Sequence, residues 1–178
     1  WNPRAGSGAL YQSVTEGLNL EIELSTVASE TVNGTTAYWI EQTFLDTDKV
    51  EKTLMVLRQG DHMQALRTIT QRHGEDPVET PEQKPAPNLW EIAKRVGSGT
   101  EDIATPAGTF QCERYHANSG KWDAWFSSEV TPFGLVRIIN DEGTEMVVVS
   151  LIHDANDHIT GTPRKAAPAA PAQPAGRP

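Results

Sequence analysis

The fold is decided by one stretch of sequence, Leu18-Asn19-Leu20-Glu21-Ile22-Glu23-Leu24-Ser25, and by the segment that follows it. Apolar and polar residues alternate along this stretch with period two, which is typical of a strand with one buried face. After Asn33-Gly34, residues 35–44 are rich in β-branched and aromatic side chains. Because Asn-Gly between two such runs is a strong hairpin signal, the two segments are predicted to pair.

The register of this hairpin has two alternatives. A two-residue turn at Asn33-Gly34 would place Ile22 opposite Leu45. A three-residue loop that includes Val32 would place Ile22 opposite Phe44 and Ala28 opposite Tyr38. A slip of one residue turns every side chain to the other face, so matching of apolar residues decides. Matching of the apolar residues favours the three-residue loop, or a bulge nearby.

The remaining sequence also predicts antiparallel β structure. Further strands are expected at residues 52–58, 63–71, 109–116, 122–127, 134–139 and 145–152. Asn88 is a candidate cap for a short helix over residues 89–95. With no alternation of strands and helices, the predicted fold class is mainly β: a curled antiparallel sheet, or half-barrel, with a short helix.

Length and composition exclude several classes of protein. The chain has 178 residues, the size of one domain with enough length to bury a core. It has no apolar run near the roughly 18 residues of a membrane span, so no transmembrane segment is expected. A formal charge of −9 argues against a nucleic-acid partner, because phosphate groups would repel the protein. A single cysteine excludes an intramolecular disulfide.

The two ends differ from the body. The sequence opens on Trp1 rather than Met, so we expect that an export signal has been removed. Residues 161–178 are rich in alanine and proline and are predicted to form a disordered tail or stiff tether. The predicted domain therefore spans residues 9–160.

One dense polar cluster could bind a metal ion. It contains His153, Asp154, Asn156, Asp157 and His158, and histidine and carboxylate side chains are ligands of zinc and iron. The cluster follows an apolar strand, however, and loops at strand ends commonly collect these residues. We therefore expect no functional metal and no cofactor, and keep a metal-dependent enzyme that uses His153–His158 as an alternative.

Cys112 is expected to be chemically idle. It lies on a predicted strand, where the one nearby cation in the sequence is Arg114. The sequence contains no phosphate-binding loop, dinucleotide fingerprint or nucleophile elbow. These absences favour a protein that is not an enzyme.

The segment Thr-Pro-Ala-Gly-Thr-Phe-Gln-Cys at residues 105–112 resembles the "TPAGTF-x-C" turn and strand of a family of exported bacterial proteins of unknown function. The resemblance continues through residues 122–126, 132–136, 146–152 and 158–163. Such proteins are similar to distant members of the LolA/LolB-like lipoprotein-carrier superfamily. The resemblance implies a curled antiparallel sheet over an apolar cavity. It also implies a periplasmic or outer-membrane-associated location in the Gram-negative envelope.

The resulting hypothesis is a non-enzymatic envelope protein that binds an apolar small molecule, an acyl chain or the anchor of a lipidated protein. The ligand-binding residues are taken from one face of the first hairpin: Leu20, Ile22, Leu24, Tyr38, Ile40 and Phe44. An alternative is a structural or interaction protein of the envelope whose core is filled.

Overall fold

The computed structural model describes residues 2–15, 18–45, 47, 49–58, 62–80, 96–116 and 121–166. These residues contain twelve strands. The strands are β1 (Ser7–Thr15), β2 (Leu18–Val32), β3 (Thr35–Phe44), β4 (Lys49–Arg58), β5 (His62–Arg72), β6 (Val78–Thr80), β7 (Val96–Thr105), β8 (Gly108–His116), β9 (Trp122–Phe126), β10 (Leu135–Asn140), β11 (Glu145–Ile152) and β12 (Arg164–Lys165).

All twelve strands belong to one sheet. Their order across it is β12-β6-β5-β4-β3-β2-β1-β11-β10-β9-β8-β7. Neighbouring strands are antiparallel except β12, which runs parallel to β6. Most neighbours in the sheet are also neighbours in sequence, whereas the pairing of β1 with β11 joins the two ends of the described chain.

The predicted class of a curled, mainly β sheet is confirmed, but the half-barrel with a helix is corrected. The strands form one open sheet, and the described residues contain no helix. Connections such as residues 33–34, 106–107 and 141–144 are tight turns, which leave no chain to form a helix across the sheet. The segment 89–95, to which the sequence analysis assigns the helix, lies outside the described residues.

The first hairpin combines both registers considered from the sequence. Asn33 and Gly34 form a two-residue turn in which both have positive φ, 51° and 79°, as a type I′ turn requires. The register then shifts between Thr26 and Ala28, which leaves Val27 as an extra residue in β2. The predicted bulge therefore exists.

Because of the bulge, one of the two predicted cross-strand pairs is right and the other is wrong. Ile22 lies opposite Phe44, as predicted, whereas Ala28 lies opposite Trp39 instead of Tyr38. Near the turn the strands keep the register of the two-residue turn, and only beyond Val27 do they take the other register.

Apolar side chains gather in two buried clusters. The first lies around Tyr11 and contains Ala9, Ile103, Phe110, Cys112, Trp125, Val130, Leu135, Val136 and Val148. The second lies on β3, β4 and β5 and contains Ala37, Trp39, Leu54, Val56, Ile69 and Ile159. Ile159 comes from the segment after β11, so residues remote in sequence complete the second cluster.

The boundaries predicted for the domain and the tail stay a prediction. Within the predicted tail, residues 161–178, the strand Arg164–Lys165 pairs with β6. Residues 167–178 lie outside the described residues. Over the described part of the chain, the structure contains no helix of the length and apolarity needed to cross a membrane.

Candidate functional site

One face of β2 and β3 carries apolar side chains that become more exposed toward the first residue of β2. Residues directly opposite each other in an antiparallel pair lie on the same face. The pair Ile22–Phe44 therefore sets the face that Leu20 and Leu18 share with Ile22. Ile22 packs against the first cluster, whereas Leu20 is 40% exposed and Leu18 is 66% exposed.

Two basic residues continue this face on the next strands. Val50 lies opposite Thr43, so Lys49, the residue before Val50, shares its face with Phe44. Lys49 in turn lies opposite Arg72 on β5. We call Leu18, Leu20, Ile22, Phe44, Lys49 and Arg72 the amphipathic strip.

The basic end of the amphipathic strip lies beside a depression in the surface. Its volume is about 410 Å³, it is open to solvent, and its lining consists of Phe44, Thr47, Lys49 and Arg72. The Lys49 ammonium lies 3.1 Å from the carboxylate of Glu51, with both side chains more than a third exposed. An exposed ion pair of this kind stabilises a protein by about 1 kcal/mol or less, so an anionic ligand can compete for Lys49.

Farther from the strip the same face becomes polar. Ile40 lies between Thr26 and Thr53 on the neighbouring strands, and Thr53 lies opposite Thr68. The Thr53 and Thr68 hydroxyls are 3.2 Å apart. The Thr26 hydroxyl is buried and has no hydrogen-bond partner among the described residues. A row of hydroxyls therefore crosses the sheet where the sequence analysis places an apolar ligand.

The six residues predicted to bind the ligand share a face but not an environment. Leu20, Ile22 and Phe44 belong to the amphipathic strip. Leu24 packs against the first cluster, Ile40 is buried within the row of hydroxyls, and Tyr38 lies opposite Met55 on β4. Their common role in ligand binding stays a prediction.

The polar cluster at residues 153–158 belongs to a segment that crosses the other face of the sheet. We call residues 153–166 the strap. Lys52 on β4 forms an ion pair with Asp157, and Glu41 on β3 accepts a hydrogen bond of 2.6 Å from Nδ1 of His158. His153 is exposed. The two histidines thus have separate environments, and no group of three or more metal-ligating side chains occurs among the described residues.

A second depression, of about 590 Å³, lies between the strap and the turn that follows β5. It is also open to solvent, and its lining residues are Thr47, Val50, Gln71, Arg72, His73, Gly74, Glu75, Asp76, Pro77, His158, Thr160 and Gly161. Both depressions border Thr47 and Arg72. Most of the residues that line the second depression are polar, and its charged groups have both signs, Arg72 against Glu75 and Asp76.

Sequence reasoning missed three residues that the geometry singles out, Lys49, Arg72 and Glu41. The first two reach the strip only through the pairing of β3 with β4 and of β4 with β5. Glu41 lies on the strand face that carries Trp39, and its side chain is only 1% exposed. In the sequence Glu41 comes at the end of the apolar residues 37–40 and is followed by Gln42 and Thr43, so alternation alone gives it no special role.

No family model and no curated protein sequence matches the chain. Among solved structures, the chain is similar to a candidate lipoprotein from Parabacteroides distasonis ATCC 8503, with 12% identity, a TM-score of 0.45, and coverage of 85% of this chain and 97% of that one. A candidate exported protein with a YmcC-like fold from Bacteroides fragilis NCTC 9343 has 11% identity, a TM-score of 0.47 and the same coverage of both chains.

A third similar structure is PNGF-II, at 11% identity and a TM-score of 0.51. The likeness covers 89% of this chain but only 30% of the PNGF-II chain. This is a likeness of fold alone. It indicates that the open sheet described above also occurs as one part of a much longer protein.

Proposed function

We propose that this chain is a non-enzymatic protein of the bacterial envelope that binds an amphiphile with an apolar chain and an anionic head group. The apolar chain lies along Leu18, Leu20 and Ile22, and the head group lies beside Lys49 and Arg72. The envelope location rests on the resemblance of residues 105–163 to exported proteins.

The observation that carries this proposal is the change from apolar to basic along the amphipathic strip. Leu18 and Leu20 expose apolar surface that gains about 25 cal/mol for each Å² removed from water. From Ile22 to Arg72 the strip crosses three spacings between strands, or about 14 Å. At its end the two cations border a depression that can accept a carboxylate or a phosphate.

The test compares two ligands with the same twelve-carbon chain, dodecanoate and dodecanol, by isothermal titration. We expect the wild-type protein to bind dodecanoate more tightly, because only the carboxylate reaches Lys49 and Arg72. Arg72→Gln should weaken dodecanoate and leave dodecanol unchanged, and Leu20→Ser should weaken both.

Val14→Ser is the matched control. Val14 is 44% exposed, and it lies opposite Asn19 in the β1–β2 pair, so its side chain is on the other face from Leu20. Equal losses in Val14→Ser and Leu20→Ser would reject binding at the strip. Equal affinity of the wild type for both ligands would reject the role of the cations.

A second candidate is an interaction protein of the envelope with a filled core. The 66% exposure of Leu18 favours it, because an apolar side chain so open to solvent also suits contact with another protein. Native mass spectrometry of protein purified from the envelope distinguishes the two. A bound lipid supports the first candidate, and a stable protein partner without lipid supports the second.

A further inference from the structure

The strap is fixed by backbone contacts at both ends and by side chains in its middle. At one end the Ala155 amide donates to the Gly6 carbonyl at 2.9 Å, and at the other the Arg164 amide donates to the Pro77 carbonyl at 2.9 Å. Between them the Ile159 side chain enters the second cluster. The strap therefore covers apolar surface with a segment whose middle contains no β-strand.

The middle part is held by an ion pair of Lys52 with Asp157 and by two hydrogen bonds between Gln71 and Thr160. A further contact joins Glu41 to His158. The Glu41 carboxylate accepts hydrogen bonds from the His158 amide, at 3.2 and 3.3 Å, and from His158 Nδ1 at 2.6 Å. The Glu41 side chain is 1% exposed, whereas that of His158 is 49% exposed. A buried carboxylate is costly unless an opposite charge and hydrogen bonds compensate it, and here both come from the strap.

Other charged groups near the pair come from the strap, from β2, β4 and β5, and from the turn after β5. Asp157 on the strap is paired with Lys52 on β4, and Glu23 on β2 acts on His158 through its charge. Arg72, His73, Glu75 and Asp76 lie with His158 around the second depression. The carboxylates of Glu41, Glu23 and Asp157 all favour a protonated His158.

We propose that the Glu41–His158 pair is a latch, which holds the strap over the second cluster while His158 is protonated and releases the strap's middle part when that proton is lost. A neutral imidazole leaves the Glu41 charge buried without a counter-ion. Lifting of the strap admits water to Glu41, and it withdraws Ile159 from the second cluster.

The directions of the pKa values agree with this geometry. The hydrogen bond that His158 donates to Glu41 raises the pKa of His158 above its ordinary value of 6.5, against the opposing effect of burial, and the Glu41 charge adds to the rise. A raised histidine pKa gives stability that is complete below the ordinary value and is lost as pH rises through the raised one. The latch should therefore be closed in acid and open in alkali.

Hydrogen exchange measured by mass spectrometry tests the latch directly. Exchange of residues 153–166 is recorded at pH 6 and pH 9, each corrected for the intrinsic effect of pH. We expect protection of the strap to fall with rising pH, by up to about tenfold for each pH unit between the ordinary value of 6.5 and the raised pKa of His158, and to level off above it. Protection of β1 should change little.

Two variants and one control decide the interpretation. His158→Gln and Glu41→Gln keep a hydrogen-bonding side chain but remove one charge of the pair, so strap protection should lose its dependence on pH. His153→Gln alters the exposed histidine of the same strap and should behave as the wild type. Wild-type protection that does not change between pH 6 and 9 would overturn the latch. So would a pH dependence that survives in His158→Gln, a variant altered outside the β-strands.

Discussion

At the scale of single residues, the effect of burial on a side chain's pKa depends on the groups that contact that side chain. The Cys112 thiol is fully buried, and Sγ lies 3.4 Å from the Phe110 carbonyl oxygen. Burial, together with the smaller effect of the carboxylates of Glu101, Asp102 and Glu129, raises the pKa of Cys112 to about 11. Burial favours the neutral thiol of Cys112, and it also raises the pKa of Glu41, but there the hydrogen bonds and charge of His158 act against it.

Cys112 should therefore not react with thiol reagents in the folded protein. At pH 8 a thiol with a pKa of about 11 is about one part in a thousand thiolate, and the thiolate is the reactive form. We expect no reaction with a disulfide reagent such as DTNB over minutes, and complete reaction of one thiol in urea. Rapid reaction under native conditions would show that the first cluster opens at Cys112.

Gly8 is required by the close approach of β1 to β2. A Cβ at this position would overlap the Ser25 Oγ, and even without that side-chain oxygen it would lie 2.5 Å from the Leu24 carbonyl oxygen and 2.8 Å from the Ser25 Cα. Gly8→Ala should lower the free energy of unfolding by about 1–3 kcal/mol, because the strands must move apart. Urea unfolding measures this change. Adding Ser25→Ala should not restore stability, since the clash is with backbone; full recovery in the double variant would contradict this explanation.

At the scale of elements, the bulge at Val27 lets one hairpin serve both faces of the sheet. On the turn side of the bulge, Ala28 lies opposite Trp39, which belongs to the second cluster. Beyond it, Ile22 lies opposite Phe44 on the amphipathic strip. Val27 itself is partly buried against the second cluster.

Deletion of Val27 should leave these cross-strand pairs intact. Without the extra residue, Ala28 directly follows Thr26 along β2, and Thr26 still lies opposite Ile40, so β2 becomes a regular strand. We expect a folded protein that loses only the packing of one half-buried valine, about 1–2 kcal/mol. Cross-strand NOEs between residues 22 and 44 measure the register.

Deletion of Gln42 from β3 is the matched control. The pairing of β3 with β4 contains no bulge that could absorb a missing residue. The deletion must therefore turn part of a central strand to the wrong face. We expect loss of the cooperative unfolding transition. Equal stability of the two deletion variants would show that the bulge does not set the register.

The strands and the first hairpin were predictable because they depend on local patterns. Alternation gave the face of Leu20 and Ile22, and Asn33-Gly34 gave the turn. The position of the bulge was not predictable, because it depends on how β2 pairs with β3, and the alternation within either strand does not specify that pairing. For a related reason the sequence did not predict the roles of Lys49, Arg72 and Glu41. Their neighbours come from other strands and from the strap, and alternation within one strand does not specify them.

At the scale of the whole molecule, two Trp side chains stack on basic groups in separate halves of the sheet. Lys52 and Arg67 lie 5.4 and 5.2 Å from the Trp39 ring. Arg114 and Arg137 lie 5.3 and 5.5 Å from the Trp125 ring. Each such contact at a partly exposed site is worth about 0.5–1 kcal/mol. The sheet thus covers apolar rings with charged side chains where other folds use helices.

Ion pairs on the sheet, and the contact of Glu41 with His158, set the dependence of global stability on pH. The hydrogen bond from Arg67 lowers the pKa of Glu79. Burial acts to raise the pKa of Asp123, but hydrogen bonds from Arg114 and His116 outweigh it and hold that pKa below its usual value. Lowered carboxyl pKa values give stability that is present above the ordinary values and lost as pH falls through the lowered ones.

Glu41 and His158 act in the opposite direction, because both pKa values are raised. Burial is the main cause of the raised pKa of Glu41, and the hydrogen bond that His158 donates to Glu41 is the main cause of the raised pKa of His158. The stability that these two groups contribute is complete below the ordinary pKa values of 4.5 and 6.5 and is lost as pH rises through the raised values.

The free energy of unfolding should therefore peak at about pH 5 and decline toward pH 9. Urea unfolding at constant ionic strength measures the profile, at low protein concentration because the pI is about 5.0. His158→Gln should flatten the alkaline side and leave the acid side unchanged. A wild-type stability that increases from pH 5 to pH 9 would mean that groups other than this pair dominate the titration of the folded protein.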